Sequence, residues 1–283
     1  MSLPRAEFLS ASDGVKLAYY NFIHGNPSSI LLFLHGGGAY SGGGYAVFAS
    51  NLSNNYNTGV VLMDIRGHGN SGGERGHSPS KEQCWDDIGK MARELKSKYA
   101  NILFFIGGHS SGGGMVLNYA SWDTDSPADG YIFISPQLGY KSGIQKQTDR
   151  EKFTKVNLPA FIINGISGGK LLGSFKAVRF NYPREVLAAN PLFITSITVN
   201  MANAMTPYDP PGEFRRINRP YGLFIGKNDE LFEPSKVLDY FNLSADSIKK
   251  RSVKRIIMGA NHLSILLNCE KAVAEMITGL LRA

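Results

Sequence analysis

The most constraining feature of the sequence is the pentapeptide Gly108-His109-Ser110-Ser111-Gly112, which matches the pattern G-x-S-x-G. The apolar run 102–106 before it predicts a buried strand, and residues 115–120 after it predict a helix with one apolar face. A serine on a sharp strand-to-helix turn is held in a strained backbone conformation with its hydroxyl exposed. The competing interpretation is a glycine-rich turn that happens to contain serine, since the chain has 32 glycines.

Size and composition fit one large α/β domain with room for an inserted lobe, because the chain has 283 residues. Its 43% hydrophobic and 19% charged content is typical of a soluble globular protein. Residues 1–7 lack an apolar signal core, and no apolar stretch approaches the ~20 residues that span a bilayer. Cys84 and Cys269 show no C-x-x-C or zinc spacing. We therefore expect a cytoplasmic protein with two reduced, buried thiols.

Short apolar runs alternate with helix-like stretches along most of the chain. The predicted strands are 19–23, 30–34, 59–63, 102–106, 131–134, 221–225 and 255–258, and the predicted helices are 45–52, 84–99 and 115–120. This alternation predicts an α/β fold with a doubly wound, mostly parallel sheet. The basic, glycine-interrupted interval between Pro136 and Pro220 breaks it. We therefore expect a core of residues 1–137 and 211–283 and an inserted lid, or cap, of residues 138–210.

Ser110 is a candidate nucleophile, and a serine hydroxyl needs a base to take its proton and an acid to orient that base. In such a fold these partners follow in the order serine, acid, histidine, each after a later strand. The strand 221–225 leads into Asp229 and Glu230, and the strand 255–258 leads into His262. His262 is the only histidine after Ser110. We expect His262 as the base and Asp229, the shorter acid directly after the turn, as its partner.

Two backbone N–H groups are predicted to stabilise an oxyanion. One is that of Ser111 at the start of the predicted helix, and the other is that of Gly37, with Gly38 as the reserve donor. The glycine loop 36–44 also has to be weighed as a phosphate site. A dinucleotide fingerprint fails at Ser41, and a Walker A motif fails because Leu171 follows Gly169-Lys170. We expect no metal and no cofactor.

The strand-to-helix turn at residues 108–112, the His35-Gly36-Gly37 loop and the order of the three candidate residues resemble those of the α/β-hydrolase fold. Residues 64–71, Asp-Ile-Arg-Gly-His-Gly-Asn-Ser, resemble the D-x-R-G-H-G-x-S signature of the monoacylglycerol lipase and lysophospholipase-like branch of serine aminopeptidase-type hydrolases. This resemblance implies an ester hydrolase that acts through an acyl-enzyme. It also implies structural roles for Asp64 and His68. Two departures are the third glycine after His35 and a serine at position 111, where the branch often has methionine.

The lid is strongly basic. Residues 141–184 hold nine cations against two anions and so account for the whole net charge of +7. The cations are Lys141, Lys146, Arg150, Lys152, Lys155, Lys170, Lys176, Arg179 and Arg184. Apolar residues lie among them, which suits peripheral contact with an anionic membrane better than nucleic-acid binding. The competing interpretation is a solvated surface with no partner.

Four apolar residues in the lid, Phe193, Ile197, Met201 and Met205, recur every four residues and predict one stripe along a helix. Such a stripe lines an acyl-chain tunnel or packs the lid onto the core, and both interpretations stay open. We count Phe193, Ile197 and Met201, together with Gly38 and His109, as candidate substrate-contacting residues.

Three hypotheses for function follow. The first is a serine hydrolase that cleaves monoacyl lipid esters, as a monoacylglycerol lipase or lysophospholipase does. The second is a carboxylesterase for short soluble esters, or an amidase or peptidase of the same fold. The third is a hydrolase-fold protein that binds a small-molecule ligand without turning it over.

Overall fold

The computed structural model describes residues 2–147 and 153–281. Its strands are β1 (Glu7–Ser10), β2 (Lys16–Phe22), β3 (Ser29–Leu34), β4 (Thr58–Met63), β5 (Leu103–His109), β6 (Gly130–Ile134), β7 (Thr154–Val156), β8 (Lys176–Phe180), β9 (Ser196–Thr198), β10 (Tyr221–Gly226) and β11 (Val253–Ile257). Its α-helices are α1 (Tyr45–Tyr56), α2 (Lys81–Lys98), α3 (Ser111–Trp122), α4 (Leu158–Ile166), α5 (Arg184–Ala189), α6 (Val199–Met205), α7 (Pro210–Arg216), α8 (Pro234–Asp239), α9 (Asp246–Lys249) and α10 (Glu270–Leu281). Short 3₁₀ helices cover Tyr140–Ser142, Tyr240–Leu243 and Ser264–Leu267.

The central sheet has eight strands in the order β1-β2-β4-β3-β5-β6-β10-β11. The pairs β1–β2 and β2–β4 are antiparallel, and the other five pairs are parallel. The central strands β3 and β4 are buried at every position, which explains their continuous apolar sequences. The predicted α/β fold class with a mostly parallel sheet is confirmed.

Helices cover both faces of the sheet. On one face α1 and α10 pack together and bury Phe48 and Val273. On the other face α2 and α3 bury Met91 and Leu117. Because parallel strands end at the same edge of a sheet, the residues that follow them gather along its carboxyl edge, where such folds bind ligands.

The interval 138–210, which we propose as the lid between core segments 1–137 and 211–283, contains a small antiparallel sheet in the order β7-β8-β9. The helices α4, α5 and α6 accompany this sheet. Of the nine predicted lid cations, Arg150 and Lys152 lie outside the described residues. The lid therefore contains a sheet of its own, whose strands were not predicted from the sequence.

The predicted single helical stripe in the lid is wrong. Phe193 lies in a turn, Ile197 lies in β9, and only Met201 and Met205 lie on a helix, α6. The helix α6 begins only at Val199, because the Thr198 hydroxyl caps its amino end by accepting a hydrogen bond from the Met201 N–H at 3.4 Å. The stretch before the cap is extended and pairs with β8.

The helix α6 packs the lid onto the core. The Met201 sulfur is buried and lies 3.9 Å from the Cys84 sulfur on α2. A Cβ built on Gly114 of α3 would lie 2.5 Å from the Met205 carbonyl oxygen, so the two helices meet backbone to backbone. Packing of lid against core, one of the two open interpretations, accounts for the methionines of this segment.

At the turn between β5 and α3, backbone packs directly against backbone. A Cβ built on Gly112 would lie 2.4 Å from the His35 carbonyl oxygen and 2.6 Å from the Leu34 carbonyl oxygen. A Cβ on Gly108 would lie 2.4 Å from the Gly112 carbonyl carbon. Backbone atoms cannot give way as a flexible side chain does, so glycine is required at both positions.

Gly112→Ala is expected to lower the free energy of unfolding by about 2 kcal/mol or more, because the added methyl group overlaps backbone of β3. Chemical denaturation followed by circular dichroism measures the change. The matched control is Gly279→Ala on the exposed face of α10, where nothing lies within 4 Å of the added Cβ. That control should be neutral or stabilising by up to about 1 kcal/mol. Equal unfolding midpoints for both variants would contradict the crossing described here.

Candidate active site

Ser110 occupies the turn between β5 and α3 with a left-handed backbone, at φ 54° and ψ −121°. Its N–H donates to the Ile134 carbonyl at 3.0 Å, and its own carbonyl accepts from Gly114 at 3.1 Å and Gln137 at 2.9 Å. These bonds tie the residue to the end of β6 and to the start of the helix, and they stabilise a φ that a serine rarely adopts. The side chain therefore stands at the amino end of α3.

His262 connects Ser110 to Asp229. Its Nε2 lies 3.0 Å from the Ser110 hydroxyl oxygen, and its Nδ1 lies 2.9 Å from a carboxylate oxygen of Asp229. Because a carboxylate only accepts, Nδ1 carries the ring proton and Nε2 is left as the acceptor for the serine hydroxyl. This tautomer is the one that a general base needs.

Asp229 is fully buried after β10, and its carboxylate is held on both oxygens. One oxygen faces His262, and the other accepts the N–H groups of Leu231 at 2.9 Å and Phe232 at 3.0 Å. Burial raises the pKa of this carboxyl, but the hydrogen bond and charge of His262 and the two N–H groups outweigh burial and leave the pKa below its usual value. The group is therefore a carboxylate at neutral pH.

Glu230, the neighbouring acid, does not reach the imidazole ring. Its carboxylate accepts the backbone N–H of His262 at 2.9 Å. The two adjacent acids thus hold different parts of His262: Asp229 fixes the ring and Glu230 fixes the backbone.

The glycine loop after β3 lies against the serine turn. A Cβ built on Gly36 would lie 3.4 Å from the Ser110 Cβ, and one on Gly37 would lie 3.0 Å from the Ser111 hydroxyl oxygen. Within residues 2–147 and 153–281, neither the Gly37 N–H nor the Ser111 N–H has a protein acceptor. Two unpaired backbone donors beside a serine hydroxyl are what an oxyanion site requires. Gly38 has φ +73°, and its carbonyl accepts from Ile194.

Beneath the loop, the signature segment forms a buried polar frame. The Asp64 carboxylate accepts the N–H groups of Ser41 at 2.7 Å and Asn70 at 2.8 Å and the Tyr20 hydroxyl at 3.1 Å. Nearby, the Arg66 guanidinium forms a buried ion pair with Asp87. These contacts support the loop from below. In the described part of the chain, no group of three or more His, Cys, Asp or Glu residues is placed to hold a metal ion.

His109, a candidate substrate contact, lies instead in the interior, 1% exposed. Its Nε2 donates to the His262 carbonyl at 2.8 Å, and its Nδ1 accepts from the Tyr45 hydroxyl at 3.0 Å. Both ring nitrogens are thus used within the protein. The expectation that this side chain contacts substrate is corrected, because it supports the backbone of His262 instead.

Tyr45 is a residue of this site that the sequence analysis missed. Its buried hydroxyl accepts the Gly36 N–H at 2.7 Å and faces His109 on its other side. It is the first residue of α1, directly after the glycine loop. The nine-residue separation from Gly36 leaves no periodic signal by which a sequence could reveal this contact.

The three lid candidates are placed differently. Ile197 and Met201 are buried, and Met201 faces the core helix α2. Phe193 is partly exposed, and its ring packs edge-on against Tyr40 with centroids 5.4 Å apart. It also lies above the glycine loop, 3.0 Å from a Cβ built on Gly43. Of the three, only Phe193 stands beside the loop that carries the candidate oxyanion donors.

The sequence pattern of the Hydrolase_4 family, described as serine aminopeptidase, S33, matches residues 25–262. The chain belongs to this family. By that description it is a member of a family of serine hydrolases.

Individual relatives of this hydrolase are distant. It is 36% identical over 97 residues to a probable protein phosphatase methylesterase 1 of Caenorhabditis elegans, covering 34% of this chain and 26% of that one. It is 26% identical over 225 residues to the phospholipase YtpA of Bacillus subtilis (strain 168), covering 76% of this chain and 82% of the relative. The chain spans about 17% to 26% of the length of several curated relatives that it matches.

Solved structures share the fold of this hydrolase. A soluble variant of monoglyceride lipase from Saccharomyces cerevisiae, in complex with a substrate analogue, superposes with a TM-score of 0.75 at 17% identity. The alignment covers 100% of this chain and 95% of that one. The likeness supports the α/β-hydrolase architecture over the whole length of the chain.

Replacing Asp229 by Asn should lower kcat for ester hydrolysis about 10⁴-fold, because an amide no longer fixes the imidazole tautomer. Glu230→Gln is the matched control. Its amide oxygen still accepts the His262 N–H, so kcat should fall less than about threefold. Steady-state kinetics measures both variants. The assignment would fail if Glu230→Gln were the more damaged of the two.

The buried histidines of this hydrolase predict how its stability depends on pH. Burial lowers the pKa of His35 to about 4 and those of His68 and His109 to about 3, from 6.5 in each case. The unfolded chain therefore binds more protons at these sites below pH 6.5, and the free energy of unfolding falls as pH decreases, by about 1.4 kcal/mol per pH unit and site.

His109→Gln tests this linkage. The variant should remove about one proton from the uptake that accompanies unfolding near pH 5. Denaturation over a series of buffers measures the slope. At pH 8 and above the histidine is neutral in both states, so the two proteins should there show the same slope. An unchanged slope near pH 5 would contradict a neutral, buried His109.

Proposed function

We propose that this protein is a serine ester hydrolase that cleaves monoacyl lipid esters through an acyl-enzyme. The observation that supports it most is the continuous hydrogen-bonded relay from Ser110 through His262 to Asp229. The relay lies beside two unpaired backbone donors and beneath a lid with an exposed apolar helix. A relay of this kind serves to activate a hydroxyl as a nucleophile.

In the proposed reaction, the Ser110 oxygen attacks the ester carbonyl carbon while its proton passes to His262 Nε2. The carbonyl π electrons move onto oxygen, and the N–H groups of Gly37 and Ser111 stabilise the resulting oxyanion. The intermediate then collapses, and His262 donates the proton to the departing alcohol oxygen. Water then attacks the acyl carbon while His262 takes its proton, the bond to the Ser110 oxygen breaks, and His262 returns the proton to that oxygen as the carboxylic acid leaves. Throughout, Asp229 stabilises the imidazolium.

The lid surface supports a lipid substrate. The helix α4 exposes Leu158, Ile162 and Ile166, at 52%, 59% and 84%, along one side. On its other side Ala160 and Asn164 are buried. Lys170 and Lys176 are exposed nearby in sequence. An exposed apolar face in a basic segment favours docking on an anionic lipid surface over a solvated lid with no partner.

In the described part of the chain, no helix is both long enough and apolar enough to pass through a bilayer. The proposed contact is therefore peripheral, through the lid, and does not depend on a transmembrane segment. The α4 side chains would lie at the level of the lipid headgroups, with the lid cations beside anionic phosphates.

One observation favours the second candidate, a hydrolase of short soluble esters. The Phe180 ring lies 2.9 Å from a Cβ built on Gly37, so an aromatic side chain covers the candidate oxyanion loop. The name of the relatives called protein phosphatase methylesterase 1 also points to esters with a small group. The family description, serine aminopeptidase, keeps amide and peptide bonds among the bonds to be tested.

A panel of esters with acyl chains of increasing length separates these candidates. For a monoacyl lipid hydrolase, kcat/KM should rise with chain length beyond the short esters, because each added CH₂ that is buried contributes about 0.8 kcal/mol. The panel includes a monoacylglycerol, a lysophospholipid and an aminoacyl anilide. A maximum at about two to four carbons would exclude the lipid candidate and favour the short-ester one.

Ser110→Ala, assayed on the same panel, tests whether turnover depends on the proposed nucleophile. The rate should fall at least about 10³-fold for every substrate, whichever chain length is preferred. Full turnover by this variant would contradict the mechanism. No turnover by the wild type on any ester or amide would favour the third hypothesis, a ligand-binding protein.

Docking of the lid predicts salt-sensitive binding to vesicles of phosphatidylcholine with phosphatidylglycerol. Affinity should fall steeply as the Debye length drops below ~10 Å, because cations of the lid contribute the attraction. Ile166→Ser should weaken binding, since the exposed tip of α4 loses its apolar group. Phe8→Ser, at a 53% exposed apolar position on β1, is the matched control and should bind like the wild type. Salt-independent binding, or equal loss in both variants, would contradict lid docking.

A further inference from the structure

The candidate oxyanion loop contains three consecutive glycines, Gly36, Gly37 and Gly38. Glycine is the residue with the greatest backbone freedom, so such a loop does not hold its own peptide groups in one orientation. Catalytic donors act only when they are fixed before charge develops on the substrate. The contacts that fix the peptide groups of Gly36, Gly37 and Gly38 from outside are therefore part of the catalytic machinery.

The core fixes the first glycine. The Gly36 N–H donates to the Tyr45 hydroxyl at 2.7 Å, and the Gly36 carbonyl accepts from His35 Nδ1 at 2.9 Å and from the Ala39 N–H at 3.2 Å. The first bond orients the peptide between His35 and Gly36, and the two bonds to the carbonyl orient the peptide that carries the Gly37 N–H. They do not reach the next peptide, which joins Gly37 to Gly38.

The lid fixes the remaining two carbonyls. The Tyr182 hydroxyl donates to the Gly37 carbonyl at 2.8 Å, and the Ile194 N–H donates to the Gly38 carbonyl at 2.9 Å. Both donors come from residues more than 140 positions away in the sequence. Of these two, only Tyr182 acts through a side chain, so a substitution can remove its bond and keep the backbone intact.

The position of Tyr182 is itself well determined. Its ring packs edge-on against Phe153 with centroids 5.0 Å apart and also contacts Phe180 and Phe193. A Cβ on Gly38 would lie 3.0 Å from the ring, so the tyrosine lies directly on the loop. Burial raises the pKa of the phenol above its usual value, and the hydroxyl therefore remains a proton donor over the working pH range.

We propose that Tyr182 is a positioning residue: from the lid, its hydroxyl holds the Gly37–Gly38 peptide in the orientation that the oxyanion loop needs for catalysis. The inference rests on the proposed function, because it assigns the loop the role of oxyanion site. It follows that the lid around Tyr182 stays docked on the loop during turnover, and that substrate enters the site elsewhere. The lid thereby becomes a component of the catalytic site as well as its cover.

Tyr182→Phe removes one oxygen atom and keeps the aromatic packing. Tyr40→Phe is the matched control. The Tyr40 hydroxyl joins the same lid and loop by donating to the Asn190 side-chain oxygen at 3.2 Å, and this bond involves no peptide group of Gly36, Gly37 or Gly38. Tyr182→Phe should lower kcat about 10- to 100-fold, below the full cost of a lost oxyanion donor, with KM changed less than about twofold. Tyr40→Phe should leave kcat within about twofold.

A trifluoromethyl ketone with an alkyl chain gives a readout that does not depend on turnover. The Ser110 oxygen adds to its carbonyl carbon, the serine proton moves to His262, and the carbonyl oxygen becomes an oxyanion in the loop. Its affinity, measured by titration, should fall in Tyr182→Phe by the same factor as kcat and stay unchanged in Tyr40→Phe. A merely structural tyrosine would lower the thermal midpoint of unfolding without this matched loss.

The outcomes distinguish the two proposals. Equal kinetics and equal ketone affinity for wild type and Tyr182→Phe would overturn the role of Tyr182 and leave the proposed function intact. Equal losses in Tyr182→Phe and Tyr40→Phe would also overturn it, since general loosening of the lid would then explain both. A wild-type protein that turns over no ester and binds no ketone would overturn both proposals.

Discussion

The site depends on one crossing, where β5 turns into α3 beneath the carboxyl end of β3. Gly108 and Gly112 allow backbone to contact backbone there, with no room for a Cβ on either residue. The crossing holds Ser110 at positive φ and places the amino end of α3 next to the loop that leaves β3. Ser110, the amino end of α3 and the glycine loop therefore lie next to one another, because these backbone contacts fix the strands and the helix in one arrangement.

A second constraint is a chain of buried hydrogen bonds that runs from the glycine loop to the histidine loop. The Gly36 N–H donates to Tyr45, the Tyr45 hydroxyl donates to His109, and His109 donates to the carbonyl of His262. This series of hydrogen bonds requires a neutral His109, since its Nδ1 has to accept the hydrogen bond from the Tyr45 hydroxyl. Its burial, which lowers the pKa to about 3, keeps it so. The glycine loop, the turn that carries Ser110 and the His262 backbone are thus coupled through one imidazole.

The sequence predicted the central parallel strands because strands buried on both faces are continuous apolar runs. It predicted where Ser110, Asp229 and His262 lie because each comes after a predicted strand, although β11, the strand before His262, is an exposed or half-buried edge strand. It missed β1, whose residues are exposed or half-buried, and the lid strands, which are short and interrupted by lysine and arginine. It also missed Tyr45 and Tyr182. Each makes its decisive contact through a single hydroxyl to a distant backbone group, and such a contact leaves no periodic pattern in the sequence.

In the proposed mechanism Ser110, and not the adjacent Ser111, is the nucleophile of the relay. Intact-protein mass spectrometry after reaction with a fluorophosphonate, followed by peptide sequencing, separates the two serines. We expect one adduct per chain, located on Ser110 and lost when His262 is replaced by Ala. An adduct on Ser111, or labelling that does not depend on His262, would contradict it.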